Sequence, residues 1–125
     1  MTTLVEKIRQ KRRFEVQVDH ITFTGSLPTT EQFFVYGRES VTDAEIARKC
    51  VDGWRGVTES DLIEDGGDDV IAFDKELFNE VIGDKPEWWR PISDLVIDRF
   101  KLRAAEKENK EKNSQSGSKA KASDK

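Results

Sequence analysis

"FEVQVDHITFTG", residues 14–25, is where the chain changes its hydrophobic period, and that change sets the fold class. Phe14, Val16 and Val18 alternate with polar residues, Asp19-His20 interrupts, and Ile21 and Phe23 resume the alternation. A repeat of two puts successive side chains on opposite faces, so the segment predicts two half-buried strands joined by a tight Asp-His turn. Type I′ turns need positive φ, and no glycine occupies the second turn position to supply it.

Outward from this hairpin the patterns are helical. Upstream, Leu4, Val5 and Ile8 beside the basic run "KIRQKRR" (7–13) read as a short helix or as a frayed end. Downstream, in "LPTTEQFFVYGRES" (27–40), Thr29 or Thr30 caps a helix, Gln32 has capping-box spacing from Thr29, and Gly37 is the expected stop. In "VTDAEIARKCVDGW" (41–54), Thr42 caps and Glu45 reaches back. Ile46, Ala47, Cys50, Val51 and Trp54 then form one stripe of a helix that Gly53 is expected to end. "VIAF" (70–73) reads as extended, and Asp74 caps "KELFNEVI" (75–82), with Leu77, Phe78, Val81 and Ile82 inward and Gly83-Asp84 closing it. Pro86 suits a first turn, whereas Pro91 would kink a helix, so a short turn over 86–90 and a helix from Pro91 are expected. Ile92, Leu95, Val96, Arg99 and Phe100 line one side of that helix. From about residue 104 the stripe stops, and "NKEKNSQSGSKAKASDK" (109–125) has the composition of a disordered tail. The expected fold is α+β, mainly helical. It comprises a basic N-terminal arm (1–13), one small globular domain (14–103) that opens on a short β-hairpin, and a disordered basic Lys/Ser-rich tail (104–125).

With 125 residues the chain supports one modest core. It has no apolar run of membrane-spanning length and no uninterrupted apolar stretch near its start, so neither a membrane span nor a secretory signal is expected, and the cytoplasm is the expected compartment. Cys50 is the only cysteine, so no intramolecular disulfide can form. The net charge of −4 hides an asymmetry. Residues 1–13 carry five bases and one acid, residues 14–100 eight bases and twenty acids, and residues 101–125 eight bases and four acids. Such an acidic body repels nucleic acid, so any binding to it must run through the two ends.

Seven carboxylates lie between Glu59 and Asp74 with no lysine or arginine among them. An EF-hand read from Asp61 puts Ile63 at the third position and Ala72 at the twelfth, where oxygen ligands are required. The stretch therefore reads as a solvated acidic turn, with Asp65-Gly66-Gly67 as turn chemistry. His20 and Cys50 alone cannot make a zinc site, nor does their spacing argue for a catalytic pair. With no phosphate loop and no nucleophile elbow, no enzyme activity, cofactor or metal is expected. Lys7, Arg9, Lys11, Arg12 and Arg13 and the lysine-rich tail leave an alternative open, a small nucleic-acid-associated protein acting through its basic ends. Those charges are not interleaved with stacking aromatics, which disfavours it. Trp88 and Trp89 are adjacent and cannot point the same way: either one is core and the other partly exposed and open to a partner, or both pack around Pro86 and Pro91.

The order "AEIARKCVDGWRGV", an acidic glycine-containing loop, "IAFDKELFNEVI" and a last helix from "RPISDLVIDRF" resembles the tail assembly chaperones of long-tailed bacteriophages. "FEVQVDHITFTGSLPTTEQFFV" resembles the family's front end, and the likeness covers about residues 14–103. The loop "TESDLIEDGGDD" is long for the pattern, and Ala72 stands where proline is often found. The resemblance implies a non-enzymatic protein of the host cytoplasm, absent from the finished virion, that binds and solubilises the tape-measure protein and helps recruit the major tail protein. It also implies a longer frameshifted product in many members. Helix-in-groove binding of such a client would draw on Phe33, Phe34, Leu77, Phe78, Trp88 and Trp89. Oppositely charged ends and body further predict self-association that weakens with salt.

Overall fold

The computed structural model describes residues 2–115, the side chains of 110–115 excepted. A helix, α1 (Leu4–Lys11), opens the chain, followed by strands β1 (Arg13–Val18) and β2 (Ile21–Ser26). Helices α2 (Thr30–Arg38) and α3 (Asp43–Cys50) lead into a third strand, β3 (Val51–Arg55). One-turn α4 (Glu59–Leu62), α5 (Lys75–Ile82) and the long α6 (Pro86–Gln115) complete it. The architecture is α+β and mainly helical, as the periodicities require. No helix among the described residues is long and apolar enough to cross a membrane.

The hairpin forms as its alternation dictates, with Val18 opposite Ile21 and Phe14 opposite Gly25. Asp19 takes the positive φ, 55°, at the first loop position, a region that aspartate tolerates better than most residues do. Phe14, Val16, Ile21 and Phe23 share the buried face.

The third strand corrects the reading of 41–54 as one helix. α3 stops at Cys50, and Val51 begins a strand antiparallel to β2, with Phe23 opposite Trp54 and Gly53 inside the strand rather than at a helix end. A helix that meets a strand with no connecting residue leaves its last carbonyls without partners. Here the Lys75 ammonium, from the first turn of α5, donates to the carbonyls of Arg48 and Val51, the latter at 2.7 Å. Thr24 faces Gly53 and Gly25 faces Val51, so Asp52 is the extra residue of a bulge. The bulge lets Val51 and Trp54, three apart, both point inward, and it sends Asp52 outward to hold Arg13 (Nη2 to Oδ1 3.0 Å). Arg13 therefore belongs to the sheet rather than to a loose basic arm.

Helices cover one face of the sheet in a two-layer arrangement. Ile46, Ala47 and Cys50 come from α3, Phe78 and Ile82 from α5, and Trp88, Ile92 and Val96 from α6. The last three recur every four residues, which explains why α6 runs unbroken through 86–90 instead of starting at Pro91. Pro91 removes one hydrogen bond, to the carbonyl of the exposed Glu87, while the continuous buried stripe outweighs that loss. The helix also continues to Gln115, past the expected start of a disordered tail at 104, through the good helix formers Ala104, Ala105, Glu106 and Lys107. Residues 116–125 lie outside the described residues.

Candidate functional site

Five aromatics were the candidates for partner contact, and burial separates them. Phe78 is 0% and Trp88 4% exposed. Both stand in an aromatic cluster with Phe23, Trp54 and Phe73, where the Phe23 and Trp88 centroids are 5.1 Å apart. Their rings are core and are not available to a partner. Trp89, the neighbour on the other side of the α6 stripe, is half-buried, so the adjacent tryptophans divide as their geometry requires.

The two residues of α2 lie at the edge. Its N-terminus is set by a full capping box: Thr29 N–H donates to Gln32 Oε1 (2.9 Å) and Gln32 N–H to Thr29 Oγ1 (3.1 Å). That frame turns Phe33 toward α6, where it stacks on Phe100 at 4.1 Å and 19°. Phe34 is 64% exposed and meets the same Phe100 edge-on at 6.1 Å. Ala104, one turn after Phe100, adds an exposed small residue beside a shallow groove. The result is an aromatic ridge whose outer ring faces solvent. Phe100 was legible only as the end of the Ile92–Val96 stripe, since nothing local to it indicates that it leaves the core to join α2. A second exposed apolar strip, Leu4, Val5 and Ile8, lies on α1, which is capped by Thr3 and Glu6 and forms a true helix rather than a frayed end.

Two carboxylates of the acidic stretch, Glu59 and Asp61, and the backbone at its C-terminal end are used internally. Val70 bridges to Thr58, the Ile71 N–H donates to the Val57 carbonyl (2.9 Å), and the Trp54 indole N–H donates to the Ile71 carbonyl (2.8 Å). Desolvation pulls the Asp61 carboxyl upward, but bonds from His20 Nε2 (2.9 Å) and from the Thr58 N–H and hydroxyl outweigh it, and its pKa lies below the usual carboxylate value. Glu59 Oε1 accepts from the Gly67 N–H (2.9 Å). Gly66 and Gly67 do not take positive φ, contrary to the turn chemistry expected of them. Gly66 is instead a close approach: a Cβ there would lie 2.5 Å from the Glu59 carbonyl. Among the described residues no group of three or more His, Cys, Asp or Glu is placed to hold a metal ion.

His20 and Cys50 are not brought together. His20 is at the closed end of the hairpin with Asp61, whereas the Cys50 backbone packs against Gly25 near the open end. Burial pushes the Cys50 thiol up to about 11, leaving it a protonated, packed group at neutral pH. No protein-family model, curated protein or solved structure matches the chain.

Proposed function

We propose that this protein is a tail assembly chaperone of a long-tailed phage, a non-enzymatic binding protein that holds the tape-measure protein soluble and helps recruit the major tail protein. The supporting observation is the Phe33–Phe34–Phe100 ridge, which leaves a phenylalanine 64% exposed on a chain of mean hydropathy −0.71. An apolar stripe on a client helix gains by covering such a ring, and rings at a packed edge are where binding energy concentrates. The order of segments from the hairpin to the last helix supplies the family reading, and the ridge supplies a place for the client.

Co-expression with the tape-measure protein of the same genome tests the reading. The client should stay soluble and co-purify with the wild-type chain, and Phe34→Ser should lose most of the captured client. Equal solubility of the client with and without this protein, or capture unchanged by Phe34→Ser, would overturn it.

A further inference from the structure

The end of the sheet opposite the acidic turn carries a cleft of about 290 Å³ between α1, the β2–α2 connection and α3. Arg9, Arg12 and Lys49 line it, with Ser26, Thr29 and Gln32 among the polar groups between them. None of its lining residues is acidic, in a chain that carries 25 aspartates and glutamates. None of the three cations forms an ion pair among the described residues. Arg103 adds charge at the rim, where its Nη2 donates to the Pro28 carbonyl (3.3 Å). The charged groups of the cleft, Arg9, Arg12 and Lys49, are all donors, which suits an anionic partner.

The complementary surface is on the same chain. Glu64, Asp65, Asp68 and Asp69 are exposed, and none pairs with a cation among the described residues. Their turn is held in shape by Ser60 N–H to the Gly67 carbonyl (3.0 Å), Glu59 N–H to the Asp69 carbonyl (2.9 Å) and Gly66 N–H to the Ile63 carbonyl (3.1 Å). It is therefore presented ready-ordered, at little entropic cost on contact. Ile63 and Val70, on its two shoulders, are 55% and 75% exposed, which suits a surface that meets protein.

One chain cannot join the two. The turn is tied through Asp61 to His20 at the closed end of the hairpin, and the cleft includes Ser26 at the open end. Six-residue strands keep those ends roughly 17 Å apart. We propose that the cleft docks the acidic turn 64–69 of a second copy of this chain. The contact is head to tail, so it either closes a ring or extends as an open chain. Phe34, the exposed ring of the client ridge, faces away from the cleft, since it lies about 200° around α2 from Gln32.

Sedimentation velocity of the full chain tests this at about 50 mM and about 500 mM salt, conditions that span strong and weak screening. The wild type should sediment above the monomer and rise with concentration at low salt, and its association constant should fall about tenfold or more at high salt. Arg9→Glu with Lys49→Glu should be monomeric throughout, as should Asp65→Lys with Asp68→Lys. An equimolar mixture of the two reversed pairs should recover association. All four positions are exposed, so circular dichroism should match the wild type. If a pair fails to fold, Lys49→Gln and Asp68→Asn replace it, each expected to weaken association about threefold. A wild type monomeric at low salt, a reversed pair that still associates, or a folded mixture that stays monomeric overturns the proposal. So does a cleft whose reversal abolishes binding of a labelled duplex oligonucleotide while the oligomeric state is unmoved. Capture of the tape-measure client by Phe34→Ser reads the other surface and is independent of these outcomes.

Discussion

Gly25→Ala probes the join on which the third strand depends. A Cβ at Gly25 would stand 2.2 Å from the Cys50 carbonyl oxygen and 2.7 Å from Phe14 Cζ, each about 1 Å inside ordinary contact. Neither obstacle can swing aside. The Cys50 carbonyl is backbone at the α3–β3 junction, which Lys75 pins through the carbonyls of Arg48 and Val51, and Phe14 is 3% exposed. Overpacking of this kind costs about 1–3 kcal/mol. Alanine's smaller backbone entropy loss offsets about 0.5–1 kcal/mol, which leaves a net loss of about 1 kcal/mol. At a urea slope of roughly 1–1.5 kcal/mol per M, the midpoint drops by about 1 M. Tryptophan fluorescence reports the transition, since Trp54 and Trp88 are both core. Gly37→Ala is the control: a Cβ in α2 meets nothing within 4 Å, so the helix gains about 0.5–1 kcal/mol and the midpoint rises. If Gly25→Ala unfolds at the wild-type midpoint, or moves the same way as Gly37→Ala, then β2 does not run against the end of α3 and the account of the junction is wrong.

Three further outcomes follow from named contacts. Lys75→Met keeps the apolar stem but removes both carbonyl contacts; it should lose about 1–3 kcal/mol in the same urea assay, and a neutral result would remove the lysine as the reason α3 can end at Cys50. Asp61→Asn should cost about 1–2 kcal/mol at neutral pH, where the carboxylate accepts from His20 and Thr58. Because the native Asp61 pKa lies below that of the unfolded carboxyl, its contribution is complete above the unfolded value and is lost as pH falls through the native one. The gap between variant and wild type should therefore close as pH falls below the ordinary carboxylate value, and a gap independent of pH would contradict the assignment. Phe34→Ser should cost under about 2 kcal/mol of stability, because the ring hides only about a third of roughly 200 Å²; a larger loss would make Phe34 a core residue.

What the sequence made legible were the elements whose causes are local. The alternation of 14–23 gives the hairpin, and Thr29, Thr42 and Asp74 cap the helices they were expected to cap, each accepting from the backbone N–H three residues on. The failures share a different cause, a partner distant in sequence. Gly53 is the local terminator for α3 by sequence, but the group that lets the helix end is the ammonium of Lys75, 24 residues beyond Val51. Val51 and Trp54 fit a helical stripe by spacing alone, and only a bulge paired against β2 makes that spacing inward-facing in a strand. Pro91 signals a break locally through its missing N–H, whereas Trp88, Ile92 and Val96 decide the matter through the core they fill. The cleft is illegible for the same reason, since Arg9 and Arg12, on α1 and its C-cap, and Lys49, on α3, are separated in sequence by the hairpin and α2. Charge totals revealed that the ends are basic and the body acidic, but not that one basic group of the body stands with the N-terminal helix.

The division between core and surface aromatics follows from how little stability a domain of this size has to spare. Removing a buried Phe or Trp typically costs about 3–5 kcal/mol, against a total of about 5–15 kcal/mol for a small domain. Phe78 and Trp88 touch Phe23, Trp54 and Phe73 on several sides, so lending either ring to a client would open the cluster that joins the sheet to α5 and α6. Only rings at the periphery can serve both folding and binding. Phe33 secures α2 by stacking on Phe100, and that stack allows Phe34, next in sequence and turned about 100° around the helix, to remain exposed without loosening the fold. The ridge forms where α6 outruns the core, one turn beyond Val96. The proposed client surface is thus a consequence of helix length: Val96 is the last buried apolar residue of α6, and Phe100, one turn on, finds its partner on α2.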